Sequence, residues 1–203
     1  MKVFIDGENF RHRLAGVLTQ EGLLGDYDQP FDFDVPALLE LALTEIPEQI
    51  SYYTSRVKQP HFDVPQEMLD RIDGIRERSR RWIAILTNQG IVVIKAGYLK
   101  VRESSKCSHC GKKTLILQEK GVDVRLATDV VLAAAVDKVH HIVVLSSDAD
   151  MIPALESARQ SGATVTYLCF AEELNSAIAS VSSQTLTYSR KNISDIYQGR
   201  HHE

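Results

Sequence analysis

The stretch KVFIDGENF, residues 2–10, sets an unbroken apolar run, Val3-Phe4-Ile5, against a polar cluster of Asp6, Glu8 and Asn9 around Gly7. The run has the character of a buried strand, and the polar cluster falls where that strand must end. Open α/β sheets place their chemistry at strand ends. This stretch therefore bears on both the fold class and the first candidate site.

Four further β-branched or aromatic runs follow at Gln49–Ser55, Ile91–Lys100, His141–Ser146 and Thr164–Phe170. Each is nearly continuously apolar, as strands covered on both faces are. Helical periodicity fills the intervals at Phe10–Gln20, Val35–Glu45, Gln66–Gln89, Val124–Lys138 and Ile152–Ser161. Alternating strands and helices predict right-handed crossovers and a mostly parallel sheet, an α/β fold. Residues 22–34 read as an acidic surface loop. Residues 101–121 read as a small two-stranded excursion turning at CSHCGKK. The expected organisation is one domain over 1–180, with 101–120 as a cysteine-containing insertion and a polar C-terminal tail over 181–203.

At 203 residues, 44% hydrophobic and 25% charged, the chain is long enough for a substantial core. No stretch approaches the roughly 18 consecutive apolar residues of a membrane span, and the N-terminus enters a strand without a signal-like leader, so a cytoplasmic location is the expectation. Three cysteines do not make a disulfide framework. The net charge of −4 conceals an asymmetry: between Arg71 and Arg125 there are 13 Lys or Arg against 5 Asp or Glu, a local +8 that leaves −12 elsewhere. A polyanion meets regional charge, not net charge.

Carboxylates recur near the expected carboxyl edge of the sheet. Asp6 ends the first run, KGVDVRLATD brings Asp123 and Asp129 at the start of the fourth helix, and SSDAD brings Asp148 and Asp150 directly after the strand HIVVL. Neighbouring parallel strands lie about 4.8 Å apart, so Asp6 and Asp148 can meet. Asp129 sits within an almost wholly apolar helix, where an unpaired carboxylate is costly, so it needs a partner. Asp123 lies about 120° from it around the helix axis, and the two converge if Asp123 caps the helix start. A concavity of carboxylates repels itself unless a cation joins it, and hard oxygen donors select magnesium or manganese, ions that serve phosphodiester cleavage. Asn9 offers the amide donor that carboxylates lack. Single aspartates at strand ends are commonly turn or cap residues; the set as a whole is not accounted for that way.

At these residues the chain resembles the NYN domains of the PIN-like nuclease superfamily, in particular the LabA-like branch. The matching segments are FIDGENF, EKGVDVRLATDVVLAAA and IVVLSSDADMIPALESARQSGATV, in that order, and with the strands between them they span the chain to about Phe170. The resemblance implies a Rossmann-like PIN/NYN three-layer sandwich and metal-dependent RNA cleavage. It implies Asp6 and Asp148 as metal ligands, Asp123 and Asp129 completing the acidic site, and Asn9 and Asp150 in support. Glu8 falls at a variable point of the motif, and Ser147 stands where related chains often carry Gly.

A ribonuclease needs a path for its polyanion. Arg71, Arg76, Arg78, Arg80 and Arg81 crowd the third helix, with Lys95, Lys100 and Arg102 along the third strand and Lys120 and Arg125 near the fourth helix. Such side chains give salt-dependent phosphate contacts to single-stranded or structured RNA. Trp82 and Tyr98 are either base-stacking platforms or core. Cys107 and Cys110 have the spacing of half a zinc ribbon and supply two of the four ligands zinc wants. A homodimer sharing the ion, or His61 or His12 from afar, would complete it; otherwise the pair is a thiol pair without a metal. The expected activity is that of a magnesium- or manganese-dependent endoribonuclease. Its rivals are a non-catalytic RNA-binding or regulatory module and a Toprim-type phosphotransfer domain.

Overall fold

The computed structural model describes residues 1–26, 28–106 and 109–199. Seven strands, β1 (Lys2–Asp6), β2 (Gln49–Val57), β3 (Val92–Glu103), β4 (Leu115–Lys120), β5 (His141–Leu145), β6 (Thr164–Phe170) and β7 (Gln184–Tyr188), form one sheet. Its order is β4-β3-β2-β1-β5-β6-β7. All neighbours pair in parallel except β3 and β4, which are antiparallel. The helices are α1 (Gly7–Gln20), α2 (Val35–Ala42), α3 (Gln66–Asn88), α4 (Val122–Ala135), α5 (Ile152–Gln160), α6 (Ser176–Val181) and α7 (Arg190–Tyr197). The α/β class and mostly parallel sheet follow the sequence expectation.

Strand alternation builds two cores from one sheet. Val3, Ile5, Tyr52, Val143 and Leu145 face α1, α2, α3 and α7, where they meet Phe10, Leu14, Leu38, Trp82 and Ile193. Phe4, Tyr53, Ile142 and Val144 face α4, α5 and α6, where they meet Leu126, Val130, Leu155 and Ile178. The strands read as continuous apolar runs because both faces are buried.

Two expectations about the layout change. Residues 184–197, placed in a polar tail, form β7, parallel to β6, and α7, whose Ile193 and Ile196 are buried in the first core. The expected boundary at residue 180 falls inside α6. The excursion at 101–121 is the outer half of β3 returning as β4, with Tyr98 opposite Lys120. Gly97 makes this closure, since a Cβ there would lie 2.3 Å from Lys120 O.

Candidate active site

The strand order runs outward from β1 through β2 and β3 on one side and through β5, β6 and β7 on the other. The seam between β1 and β5 is therefore the point of topological reversal, where open α/β sheets bind ligands at the carboxyl ends. Asp6 is the last residue of β1 and the residue after β5 is Ser146, so both reach that edge.

Asp6 also caps α1, its Oδ1 accepting from Asn9 N at 3.2 Å, while Oδ2 accepts from Ser146 Oγ at 3.0 Å. Asp148 caps the 3-10 turn at Ala149–Met151, accepting from Asp150 N at 2.9 Å. The same Ser146 Oγ accepts from Asp148 N at 3.2 Å, and Asn9 Oδ1 accepts from Ser147 N at 3.4 Å. Asn175, the N-cap of α6, braces the loop, its Nδ2 donating to Ser147 O at 3.2 Å. Capping is thus a true role of Asp6 and Asp148, but it does not satisfy their electrostatics. Burial, countered by the two hydrogen bonds, raises the Asp6 carboxyl above its ordinary range, with Asp123 and Asp148 adding repulsion. Partial burial followed by repulsion from Asp148 and Asp150 raises Asp123 likewise. Among the described residues, none of Asp6, Asp123, Asp148 and Asp150 is ion-paired.

Asp123 is not a cap. The N-cap of α4 is Gly121 at φ 89°, a left-handed conformation suited to glycine, and Asp123 lies in the first turn. It joins the carboxylate field because α4 starts at the strand tips.

Asp129 does not join it. Six residues further along, about 9 Å down the helix, it accepts from Arg125 Nε at 2.8 Å and from the Tyr53 hydroxyl at 3.0 Å. It lines a shallow hollow with Lys2, Phe4, Gln49, Ser51 and Tyr53, on the face of the sheet that α4 covers. The half-buried carboxylate has the partner its helix demanded, but that partner is structural.

Glu119 was not singled out by its sequence, yet it belongs at this edge. Burial, offset by a hydrogen bond from Ser55, raises it, with Glu8, Asp123 and Asp6 adding repulsion. Period-two alternation on β4 puts Glu119 beside Leu117, facing a cleft of about 440 Å³ between α3 and the sheet. Glu8 faces the same cleft and pairs with Arg11 at 2.7 Å, and Arg11 also holds Gln29.

The basic residues divide. Arg76 is taken up by Asp73 at 3.0 Å, Arg80 by Glu77 at 3.6 Å and Arg125 by Asp129, while Arg81 lies over the Phe31 ring. Arg78 lines the cleft; Lys95 and Lys120 are exposed. Trp82 is core, 4% exposed, donating to the Tyr52 hydroxyl at 2.9 Å. Tyr98 carries Lys58 over its ring at 3.8 Å. Cys107 lies outside the described residues, and Cys110 is exposed on a turn. Among the described residues, no three His, Cys, Asp or Glu side chains stand close enough together to hold a metal ion as placed, so neither a zinc site nor a closed acidic cage is preformed.

The NYN domain family model matches residues 1–189. The chain belongs to the NYN domain family, within the PIN-like nuclease superfamily. That match runs through β7, as the sheet does. The NYN chain is similar in fold to a crystal structure of a protein of unknown function from Vibrio parahaemolyticus, at 14% identity and a TM-score of 0.56 over 92% of this chain and 90% of that one. No curated protein sequence matches it. Among the described residues, no helix of this NYN protein is long and apolar enough to cross a membrane.

Proposed function

We propose that this NYN chain is a magnesium- or manganese-dependent endoribonuclease, akin to the LabA-like branch, hydrolysing RNA phosphodiester bonds at Asp6, Asp123 and Asp148 with Asp150 and Asn9 in support. The observation that carries the reading is the state of Asp6: a buried carboxylate at the switch point, facing Asp123 and Asp148, with no cation paired to any of them among the described residues.

An all-oxygen donor set suits magnesium or manganese, and magnesium commonly keeps several waters while touching one or two carboxylates. A wide acidic opening fits that habit better than a closed cage does. When bound, such an ion would neutralise charge developing on the phosphate and lower the pKa of water. The chain's own residues do the rest. Ser146 and the Asn9 backbone hold Asp6 oriented, Asp148 is fixed by the turn it caps, and Asp123 and Asp150 supply negative charge that raises the affinity for a cation. The Asn9 amide offers a neutral donor for a phosphate oxygen. Lys95 and Lys120, exposed and in no ion pair among the described residues, can meet the RNA backbone.

The wide spacing of the carboxylates also favours a second reading, an RNA-binding module without turnover. One experiment separates the two. RNA cleavage is measured with magnesium or manganese, with chelator, and with Asp6→Asn and Asp148→Asn. Chelator-sensitive cleavage lost in both variants is expected; RNA binding with no variant-sensitive cleavage would leave the binding module.

A further inference from the structure

The cleft beside the acidic edge is not used by the chemistry above, and its lining is mixed in a specific way. Its walls are Ile75, Trp82 and Ile83 from α3, with Val57, Leu99 and Leu117 from the sheet. Two charged pairs of opposite sign also line it. Glu8 and Arg11 neutralise each other at 2.7 Å. Arg78 on the helix wall and Glu119 on the sheet wall are not ion-paired with anything among the described residues.

We infer that this cleft is a nucleobase pocket that selects guanine from the strand presented to the aspartates. The inference takes its context from the ribonuclease reading, but its test does not. Apolar walls on two sides suit the faces of an unstacked base, the usual target of sequence-specific RNA recognition. The cleft, about 440 Å³, lies within the roughly 300–1,000 Å³ range of small-ligand sites. Selection comes from the polar groups. A carboxylate only accepts hydrogen bonds, so Glu119 calls for a base edge with adjacent N–H donors. Guanine alone among the four offers two, N1–H and the 2-amino group. Its adjoining edge presents O6 and N7, the acceptors an arginine fork matches bidentately. A base held between the apolar walls can present these two adjoining edges to Glu119 and Arg78, which both line the cleft. Cytosine and adenine each offer one amino donor beside a ring-nitrogen acceptor that a carboxylate repels, and uracil has one N–H.

The single tryptophan of the chain lines this cleft, which supplies a readout independent of cleavage. Trp82 fluorescence is titrated in chelator with GMP, AMP, CMP, UMP and ribose 5-phosphate, with equilibrium dialysis of labelled GMP and UMP as a second measurement. GMP is expected to bind about tenfold tighter than the other nucleotides. Glu119→Gln, checked for an unchanged thermal unfolding profile, is expected to erase that preference, and Arg78→Ala to weaken GMP more than UMP. Equal binding of all four nucleotides, or of ribose 5-phosphate alone, would make the cleft a phosphate path and overturn the inference. So would the absence of GMP binding by both measurements. RNA cleavage without guanine preference would sink the pocket and leave the nuclease; GMP selection without cleavage would do the reverse.

Discussion

Ser146 Oγ donates to Asp6 Oδ2 at 3.0 Å, so the first residue beyond β5 holds the last residue of β1 across the seam where the strand order reverses. The same oxygen accepts from Asp148 N at 3.2 Å, and one hydroxyl thereby orients two proposed metal ligands. Loss of such an outer partner typically costs 10–100-fold in metal affinity. Ser146→Ala is expected to weaken manganese binding by about that factor in isothermal titration calorimetry. Unchanged affinity would reduce Ser146 to a packing residue.

Gly7 is the second constraint on Asp6. A Cβ there would lie 2.3 Å from Tyr53 O and 2.4 Å from Tyr52 Cε1. Neither can move cheaply: Tyr53 O is backbone, and the Tyr52 ring is pinned by donating to Gly7 O at 2.6 Å and accepting from Trp82 at 2.9 Å. Gly7→Ala must push α1 off β2, at a cost of about 1–3 kcal/mol. A lower urea midpoint with an unchanged slope is the expected result, and a midpoint equal to the parent's would show that the contact relaxes freely.

The central strands were legible because both faces of Val3–Ile5, Ile142–Leu145 and Val165–Phe170 are buried, and nearly uninterrupted apolar runs record that condition. QTLTY was not, because β7 is an edge strand on which Tyr188 alone is buried, and its alternation is too short to stand out. That Asp6 and Asp148 reach the same edge of the sheet is legible from their places directly after strands. Asp129 was misplaced because helical phase says that a buried carboxylate needs a partner without saying which; the answer, Tyr53, lies 76 residues away. Arg125 at the i−4 position was the local hint. Glu119 was invisible for a similar reason: its face depends on the β3–β4 register, and LILQEK reads as an ordinary amphipathic edge strand until that register is known.

The raised carboxyls make stability depend on pH and cation together. Asp6 titrates above its ordinary value of 3.8 when folded, so in the interval between the two values the folded chain binds a proton there that the unfolded chain has released. Stability from this group is present at low pH and is lost as pH rises through the folded value. Asp6→Asn removes the charge while keeping an equally good helix cap. Without metal, the variant is therefore expected to melt higher than the parent at pH 7, with the gap closing as the pH falls toward 4. Manganese at pH 7 should reverse the order by stabilising the parent alone. Calorimetry checks both, and a variant that melts lower at pH 7 without metal would show that Asp6 already has a compensating cation.

Asp129 provides the sharpest contrast with the expectation drawn from the family resemblance. Its carboxylate accepts from Arg125 and Tyr53 two helical turns from the switch point, so its substitution should act on stability and not on chemistry. Asp129→Asn leaves the Arg125 guanidinium without its counterion and exchanges a charged acceptor for a neutral one beneath α4. Tyr53→Phe deletes the other donor within a stacked contact with Phe4. Each is expected to cost about 1–3 kcal/mol in unfolding free energy. RNA cleavage by the folded variants should stay within about threefold of the parent, a change in barrier below about 1 kcal/mol. Asp148→Asn, with its carboxylate at the open edge, should do the opposite. If Asp129→Asn abolishes cleavage while its melting profile is unchanged, Asp129 must leave Tyr53 and swing to the strand tips during turnover, and the acidic site would have four members rather than three with their supports.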